Sequence, residues 1–262
     1  MAKLGAQAPV DAPSSPPMSR ANDEGVSDDD LFKEPQRDDC PICMLPLPLS
    51  GAEQQYQSCC GKTLCFGCIC AVYDTGGPSG GLCPFCRTPA ITSHEEFVER
   101  NKKRAEGGDA GATFQLGRLY SRGRRGLPQD YGKAIELWLR AGELGSASAN
   151  QNIGACYYNG QGVERDDRKA RCYDELAAMR GTVKARHNLG LFEYTAGNME
   201  RAVKHWMIGA GAGFDNSLDG VRHSFEEGLA TKDDFEIALR THQAAKDDMK
   251  SDQRDACAAA NF

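Results

Sequence analysis

Four pairs of cysteines lie within residues 40–86. Three are Cys-x2-Cys steps and the fourth is an adjacent pair: Cys40 and Cys43, Cys65 and Cys68, Cys83 and Cys86, and Cys59 and Cys60. A Cys-x2-Cys step on a tight turn directs two sulfurs towards one point, as a tetrahedral zinc ion requires. Four sulfurs leave no open coordination position, so such a site is structural and not catalytic. The pattern therefore predicts two structural zinc ions.

The spacing alone leaves the pairing open. In a sequential arrangement, the first four cysteines form one site, and the group from Cys65 to Cys86 would pass as a lone zinc ribbon. In an interleaved arrangement, the first and third pairs share one site and the second and fourth share the other. Residues 40–86 contain no histidine, so the adjacent pair Cys59–Cys60 is expected to complete the ligands. The rival ligand is Cys70, which is otherwise expected to be a spare thiol beside the zinc.

The distribution of cysteines and charges indicates which ligands and partners to expect. Nine of the twelve cysteines fall within residues 40–86 and the N-terminus lacks the apolar core of a signal peptide, which favours metal ligation over disulfides. With 31 basic and 37 acidic side chains, no strongly basic surface for nucleic acid is expected. No run of about 18 apolar residues predicts a membrane span. We expect a cytoplasmic protein, with the nucleus also open, and neither nucleic acid nor membrane as a partner.

The series CPIC, CCGKTLCFGC and CPFCR resembles a RING finger. Because RING fingers use an interleaved cross-brace, the resemblance implies two four-cysteine zinc sites: Cys40, Cys43, Cys65 and Cys68 in one, and Cys59, Cys60, Cys83 and Cys86 in the other. The common form of the family carries a histidine where this chain has Lys62, and a protonated amine cannot ligate zinc. The resemblance is thus to an all-cysteine variant.

Most RING fingers are ubiquitin ligases that hold a ubiquitin-conjugating enzyme, charged with ubiquitin, without a covalent intermediate. The resemblance assigns enzyme contacts to Ile42 in the first zinc loop, to Val72 or Tyr73 after the third cysteine pair, and to Pro84 in the last zinc loop. Arg87 would bridge ubiquitin and the conjugating enzyme through its planar guanidinium. The implied activity is that of a RING-type E3 ubiquitin transferase. The alternative is a non-catalytic zinc-binding scaffold or adaptor.

Downstream of the cysteines, a sequence repeat recurs after 37 and then 36 residues. Its copies begin as ATFQLGRLY at Ala112, ANQNIGACY at Ala149 and ARHNLGLFE at Ala185. In each copy a second alanine precedes a glycine by eleven residues: Ala134 and Gly145, Ala170 and Gly181, Ala202 and Gly213. Such a period predicts a solenoid of helix pairs, with the glycines where helices end. Trp138 and Trp206 recur at equivalent positions and are expected to pack in its core.

This repeat resembles the Sel1-like repeat, a relative of the tetratricopeptide repeat, over about residues 94–250. The resemblance implies a right-handed superhelix of helical hairpins. Such superhelices serve as adaptor surfaces, so a protein substrate or an adaptor is the partner expected for this half of the chain.

The sequence therefore predicts a multidomain chain. We expect a disordered acidic tail over 1–35, a small two-zinc cross-brace RING module of α+β class over 36–92, and an all-α solenoid over 93–250. A second disordered tail, which contains Cys257, is expected over 251–262. Loss of zinc is expected to unfold the small module and leave the solenoid helical.

Overall fold

A computed structural model of the chain describes residues 27–34, 37–49, 53–73 and 81–260. The first part holds two short helices and one hairpin: α1 (Asp28–Leu31), β1 (Gln54–Gln57), β2 (Lys62–Cys65) and α2 (Phe66–Tyr73). The rest is helical: α3 (His94–Glu106), α4 (Ala110–Arg122), α5 (Tyr131–Glu143), α6 (Ala147–Asn159), α7 (Asp167–Met179), α8 (Val183–Thr195), α9 (Met199–Gly211), α10 (Asp215–Glu226), α11 (Lys232–Asp248) and α12 (Asp252–Ala259).

The helices from α3 to α11 form the predicted solenoid, in which each helix packs on its neighbours along the chain. The small residues of the repeat allow the two helices of a pair to approach closely. A Cβ atom at Gly117 would collide with the indole of Trp138, and a Cβ atom at Gly190 would collide with Trp206. Both tryptophans are buried, which confirms the packing role predicted for them.

Local sequence sets the helix ends of the solenoid. Side-chain oxygens of polar N-cap residues accept hydrogen bonds from the first turn of six of these helices: Ser93, Asp109, Asp130, Ser146, Asp166 and Thr231. The glycines that follow α5, α7 and α9 all have positive φ, at 99°, 93° and 88°: Gly145, Gly181 and Gly213. A residue with a side chain adopts this conformation at a cost, so the prediction that these glycines end helices is confirmed.

The cysteine-rich part is built on the β1–β2 hairpin. The strands pair antiparallel from Gln54 opposite Cys65 to Gln57 opposite Lys62, and α2 begins directly after β2. Leu64 and Ile69 are buried among the cysteine side chains, with Leu47 packed against them. The apolar core is small, as predicted for a module that depends on metal.

Both terminal segments depart from the predicted disorder where the structure describes them. Residues 1–26 and 261–262 lie outside the described residues, but 27–34 include α1, whose Leu31 is buried on the solenoid. The helix α12 packs on α2, and Cys257 forms a disulfide with Cys70, with their Cα atoms 5.9 Å apart. The prediction of a disordered tail over 251–262 is therefore wrong for residues 252–259, which form α12, and the prediction of a spare thiol at Cys70 is wrong as well. The partners lie 187 residues apart in the chain, so local patterns could not indicate the pairing.

Candidate metal centre and the surfaces around it

The structure brings the eight cysteines together in two groups of four. In each group all four sulfurs lie within 4.8 Å of one another: Cys40, Cys43, Cys65 and Cys68 in the first, and Cys59, Cys60, Cys83 and Cys86 in the second. The first and third pairs share one cluster, and the second and fourth pairs share the other. This is the interleaved arrangement. Cys70 belongs to neither cluster, because it is bonded to Cys257.

The distances between the sulfurs fit a tetrahedral ion. In the first cluster, the Sγ atoms of Cys40 and Cys68 are 3.8 Å apart, as are those of Cys43 and Cys65. The matching distances in the second cluster are 4.0 Å, between Cys60 and Cys83, and 3.4 Å, between Cys59 and Cys86. Zinc–sulfur bonds of about 2.3 Å in a tetrahedron place the sulfurs about 3.8 Å apart. Each cluster could therefore hold one metal ion of the size of zinc.

Two loops of the same shape present the Cys-x2-Cys steps at 40–43 and 83–86. In the first, the N–H of Cys40 donates to the carbonyl of Leu45; in the second, the N–H of Cys83 donates to the carbonyl of Thr88. The residue after each step has a left-handed backbone, with φ of 58° at Met44 and 60° at Arg87. The shared shape turns two sulfurs inward and leaves the intervening side chains facing outward.

A separate turn allows the adjacent cysteines Cys59 and Cys60 to share one cluster. The N–H groups of Cys60 and Gly61 both donate to the carbonyl of Gln57, and Gly61 has φ 73°. The chain therefore reverses directly after the pair, where glycine tolerates the conformation. The sharp bend that adjacent ligands require is supplied by this turn.

One thiol in each cluster is poised to ionise. Burial opposes ionisation of Cys40, but backbone hydrogen bonds from Cys43, Cys65 and Ile42 outweigh it and lower the pKa of that thiol to about 7. Burial also opposes ionisation of Cys86, yet hydrogen bonds from Thr88 lower its pKa to about 6. Burial raises the pKa of their neighbours Cys59 and Cys68. Because thiolates are the metal-binding form, the donor set suits zinc, which would close both sites and hold the loops together without an open position.

The residues assigned to enzyme contacts lie around these loops. Ile42 is 40% exposed on the first loop, Pro84 is half-buried on the second, and Arg87 is exposed. Val72 is half-buried in α2. Tyr73 ends α2, and its side chain lies outside the described residues.

The structure adds two apolar side chains that the sequence reasoning missed. Met44 is 69% exposed and Phe85 is 44% exposed, so that each zinc loop carries a large apolar residue beside the predicted contacts. The sequence did carry a signal for these two residues. Each lies next to a metal-ligating cysteine, at a loop position where a charged residue would be equally tolerated, and yet each is apolar. With Ile42, each loop thus carries at least one large apolar side chain that is exposed to solvent.

The start of the solenoid contacts the second cluster. Arg104 in α3 donates to the hydroxyl of Tyr56 at 3.1 Å, to the carbonyl of Cys59 at 3.4 Å and to the carboxylate of Asp109 at 2.6 Å. Burial would raise the pKa of Asp109, but hydrogen bonds from Ala112 and Arg104 outweigh it and lower the pKa. The ion pair thus holds the hairpin turn that carries Cys59 against the solenoid.

The end of the chain contacts the first cluster. Arg254 in α12 donates to the carbonyls of Pro46 at 2.9 Å and Leu45 at 3.4 Å, and its guanidinium lies 3.5 Å from the sulfur of Cys43. The loop that bears Ile42 is therefore braced from behind while Ile42 itself stays exposed.

None of the described helices combines the length and the apolar character needed to cross a membrane.

Comparison with known families concerns the solenoid. The Sel1 repeat family matches residues 110–146 and 147–182. An ERAD-associated E3 ubiquitin-protein ligase component, HRD3B of Arabidopsis thaliana, is 32% identical over 102 residues, which are 38% of this chain and 16% of that protein. Chitin synthase regulatory factor 3 of Schizosaccharomyces pombe is 32% identical over 80 residues, 30% of this chain and 9% of that protein. The chain thus spans under a fifth of either relative.

Solved structures agree with this likeness. A Sel1 repeat protein from Oxalobacter formigenes superimposes with a TM-score of 0.52 at 28% identity, covering 59% of this chain and 64% of that one. A protective antigen of uropathogenic Escherichia coli with an SLR fold gives a TM-score of 0.50 at 30% identity, covering 58% of this chain and 33% of that one. Residues 110–182 are therefore two Sel1 repeats, and they lie within a Sel1-like helical solenoid.

Proposed function

We propose that this protein is a RING-type ubiquitin ligase in which the two-zinc module binds a charged ubiquitin-conjugating enzyme and the solenoid holds a protein partner. The observation that carries the proposal is the exposure of Ile42, Met44 and Phe85 on the two loops that present the cysteines. Large apolar side chains left exposed on structured loops favour a docking role for those loops. Arg87 directly follows the last cysteine of the second loop and has an exposed side chain, as a group that bridges two partners requires.

The braces behind the loops support the same proposal. Arg254 fixes the first loop through the carbonyls of Leu45 and Pro46, and Arg104 fixes the turn at Cys59. A rigid docking surface loses less conformational entropy when it binds, so a given contact area gives tighter binding. The module needs no nucleophile for this role, because it would act by positioning the conjugating enzyme and ubiquitin.

A second function is favoured by the names of the relatives. One is described as a component of a ubiquitin ligase and the other as a regulatory factor. An adaptor in which the zinc module only stabilises the chain, without engaging a conjugating enzyme, would fit those names equally well.

Self-ubiquitination of the full chain separates the two functions. Purified protein with verified zinc content is incubated with activating enzyme, ubiquitin, ATP and a panel of conjugating enzymes. A ligase forms chains, and Ile42→Ala reduces their rate by about tenfold or more, because an apolar anchor at the centre of an interface is worth about 2 kcal/mol. Arg87→Asn, which tolerates the left-handed backbone, reduces the rate as well.

The matched control is Leu239→Ala on α11, where the leucine is 42% exposed, close to the 40% of Ile42. This control is expected to keep the wild-type rate. Absence of chains with every conjugating enzyme, from protein that holds two zinc ions, would favour the adaptor function instead.

A further inference from the structure

The short helix α1 and the two residues after it lie on a surface formed by α7, α8 and α9. Leu31 is 2% exposed and packs against Ala177, Ala178, Ala185 and Leu189, with Phe192 beside them. A helix of four residues is not stable alone in water, so this segment is held in place by the surface beneath it.

A buried arginine on α8 holds the backbone of the segment. Arg186 is 1% exposed and donates to the carbonyls of Leu31, Lys33 and Ala178, the last two at 3.0 and 3.2 Å. Of these acceptors only Ala178 belongs to the solenoid. Without the segment, the guanidinium would keep one acceptor among the described residues and would exchange the other two for water. Two of the three acceptors of this cation are therefore supplied by the segment.

The repeat pattern marks this position as unusual. Arg186 follows the first alanine of its repeat, and the equivalent residues of the two preceding repeats are Thr113 and Asn150, both buried. Neither is charged. Packing of the repeat thus requires only a small polar residue at this position. Helix packing therefore does not explain the arginine of the third repeat.

The charges around the segment favour an acidic peptide. Arg171 and Arg201 both contact the buried carboxylate of Glu193, at 2.6 and 3.1 Å. Arg201 also reaches both carboxylate oxygens of Asp28, at 2.6 Å each. Arg171 also pairs with Glu175 at 3.1 Å, so with Arg186 included three guanidinium groups face two solenoid carboxylates. The excess of positive charge is offset by the segment.

An aromatic contact completes the surface. The ring of Phe32 lies 4.7 Å from that of His205 and 5.2 Å from the guanidinium carbon of Arg201. His205 is fully buried, and within the described part of the chain neither of its ring nitrogens has a hydrogen-bond partner. The phenyl group therefore packs against a neutral ring, at an interplanar angle of 37°.

We propose that these four residues, Arg186, Leu189, Arg201 and His205, form a recognition site for a partner peptide of the form Asp-x-x-Leu-Phe, and that residues 28–33 are a tethered occupant that the partner displaces. We call it the α1 site. The inference rests on the proposed role of the solenoid as a partner-binding surface and is independent of ligase activity.

The test uses the full chain and a fluorescein-labelled peptide with the sequence of residues 27–34, SDDDLFKE. In the variant Leu31→Asp/Phe32→Asp the tethered segment loses its apolar anchors, so the α1 site is free. Fluorescence anisotropy is expected to show binding to this variant at least about tenfold tighter than to wild type, because a tethered segment competes at about millimolar effective concentration. Adding Arg186→Met should weaken that binding by about tenfold or more. A peptide with Asp at the Leu and Phe positions is the control.

Equal binding of the peptide to wild type and to the freed variant would overturn the proposal, as would binding that ignores Arg186→Met. Circular dichroism checks that each variant keeps its helices. If the double variant fails to fold, Asp28→Lys replaces it, since Asp28 is exposed and its loss removes only the contact with Arg201. A failure of Asp28→Lys to increase peptide binding would then overturn the proposal. Because no ubiquitin is present, the result is separate from that of the ligase assay.

Discussion

Asp174 occupies the position that holds a tryptophan in two other repeats of the solenoid. Trp138 and Trp206 each follow the repeat alanine by four residues, as Asp174 does. The aspartate is 2% exposed, and one oxygen accepts a hydrogen bond from Asn188 at 3.2 Å while the other has no partner among the described residues. Burial raises the pKa of this carboxyl to about 7. At neutral pH the charge of Asp174 therefore opposes folding.

The variant Asp174→Asn should be more stable than wild type, and the gain should grow with pH. The folded state keeps the Asp174 proton up to about pH 7, whereas the unfolded state loses it near pH 3.8. Between those values the folded state binds more protons, so the wild-type free energy of unfolding falls as pH rises. We expect Asp174→Asn to add about 4 kcal/mol at pH 8 and little at pH 4.

Urea unfolding of both proteins at the two pH values checks this. Burial lowers the pKa of His205 to about 4, which makes both proteins less stable as pH falls from 6.5 towards 4. The contribution of His205 to the free energy of unfolding is the same in both proteins, so it cancels when the variant is compared with wild type at one pH. A stability difference that does not change with pH would contradict the account.

The residues of the metal centre could be chosen from the sequence, because four cysteine pairs leave few alternatives. The pairing could not be derived from spacing and came from the resemblance. The partners of Arg254 and Cys257 could not be predicted at all, since their contacts lie near residues 43–70 in the folded chain. Alignment of the repeats would have singled out Arg186, because it is charged at a position where the two preceding repeats have Thr113 and Asn150.

At the scale of elements, the helix α12 depends on a close approach to α2. A Cβ atom at Gly67 would lie 2.8 Å from the backbone nitrogen of Arg254. Any side chain at Gly67 would therefore push α12 away and weaken the brace on the first zinc loop. The sequence of α12 is short and lacks an apolar stripe, so its packing could not be predicted from its own residues.

The variant Gly67→Ala should lower the free energy of unfolding of the zinc module by about 1–3 kcal/mol, because the added methyl group meets backbone. The control is Gly211→Ala at the end of α9, where the nearest atom to a new Cβ is 3.6 Å away on Thr241. This control should be neutral or slightly stabilising, as alanine favours helix over glycine. Urea unfolding followed by the release of zinc measures the stability of the module in both variants, since the two tryptophans of the chain lie in the solenoid. Equal effects of the two substitutions would contradict the role assigned to Gly67.

At the scale of the whole molecule, the zinc module is held at both ends of the solenoid. Arg104 near its start contacts the second cluster, and Arg254 after its last helix contacts the first. The repeat period predicted the solenoid well, since every unit repeats the same packing. The joining of the module to the solenoid depends on contacts between distant residues, which no repeat or motif encodes. The module is therefore less independent than the sequence suggests.

Removal of zinc should unfold the module and release α12 while the solenoid keeps its helices. Without metal, the small apolar core around Leu64 and Ile69 cannot hold the loops. Far-ultraviolet circular dichroism before and after incubation with a chelator should show a small loss of helix, from α2 and α12. Loss of most of the helical signal would mean that the solenoid depends on the metal module.

Two interleaved sites of four cysteines underlie the proposed function, and native mass spectrometry of the intact chain tests this arrangement directly. Two zinc ions are expected on the wild type. In the interleaved arrangement Cys40 and Cys65 belong to one site, so Cys40→Ser/Cys65→Ser damages only that site. Cys40 and Cys59 belong to different sites, so Cys40→Ser/Cys59→Ser damages both. We expect one zinc ion on the first variant and none on the second. A zinc ion retained by Cys40→Ser/Cys59→Ser and lost from Cys40→Ser/Cys65→Ser would contradict the account and support sequential sites.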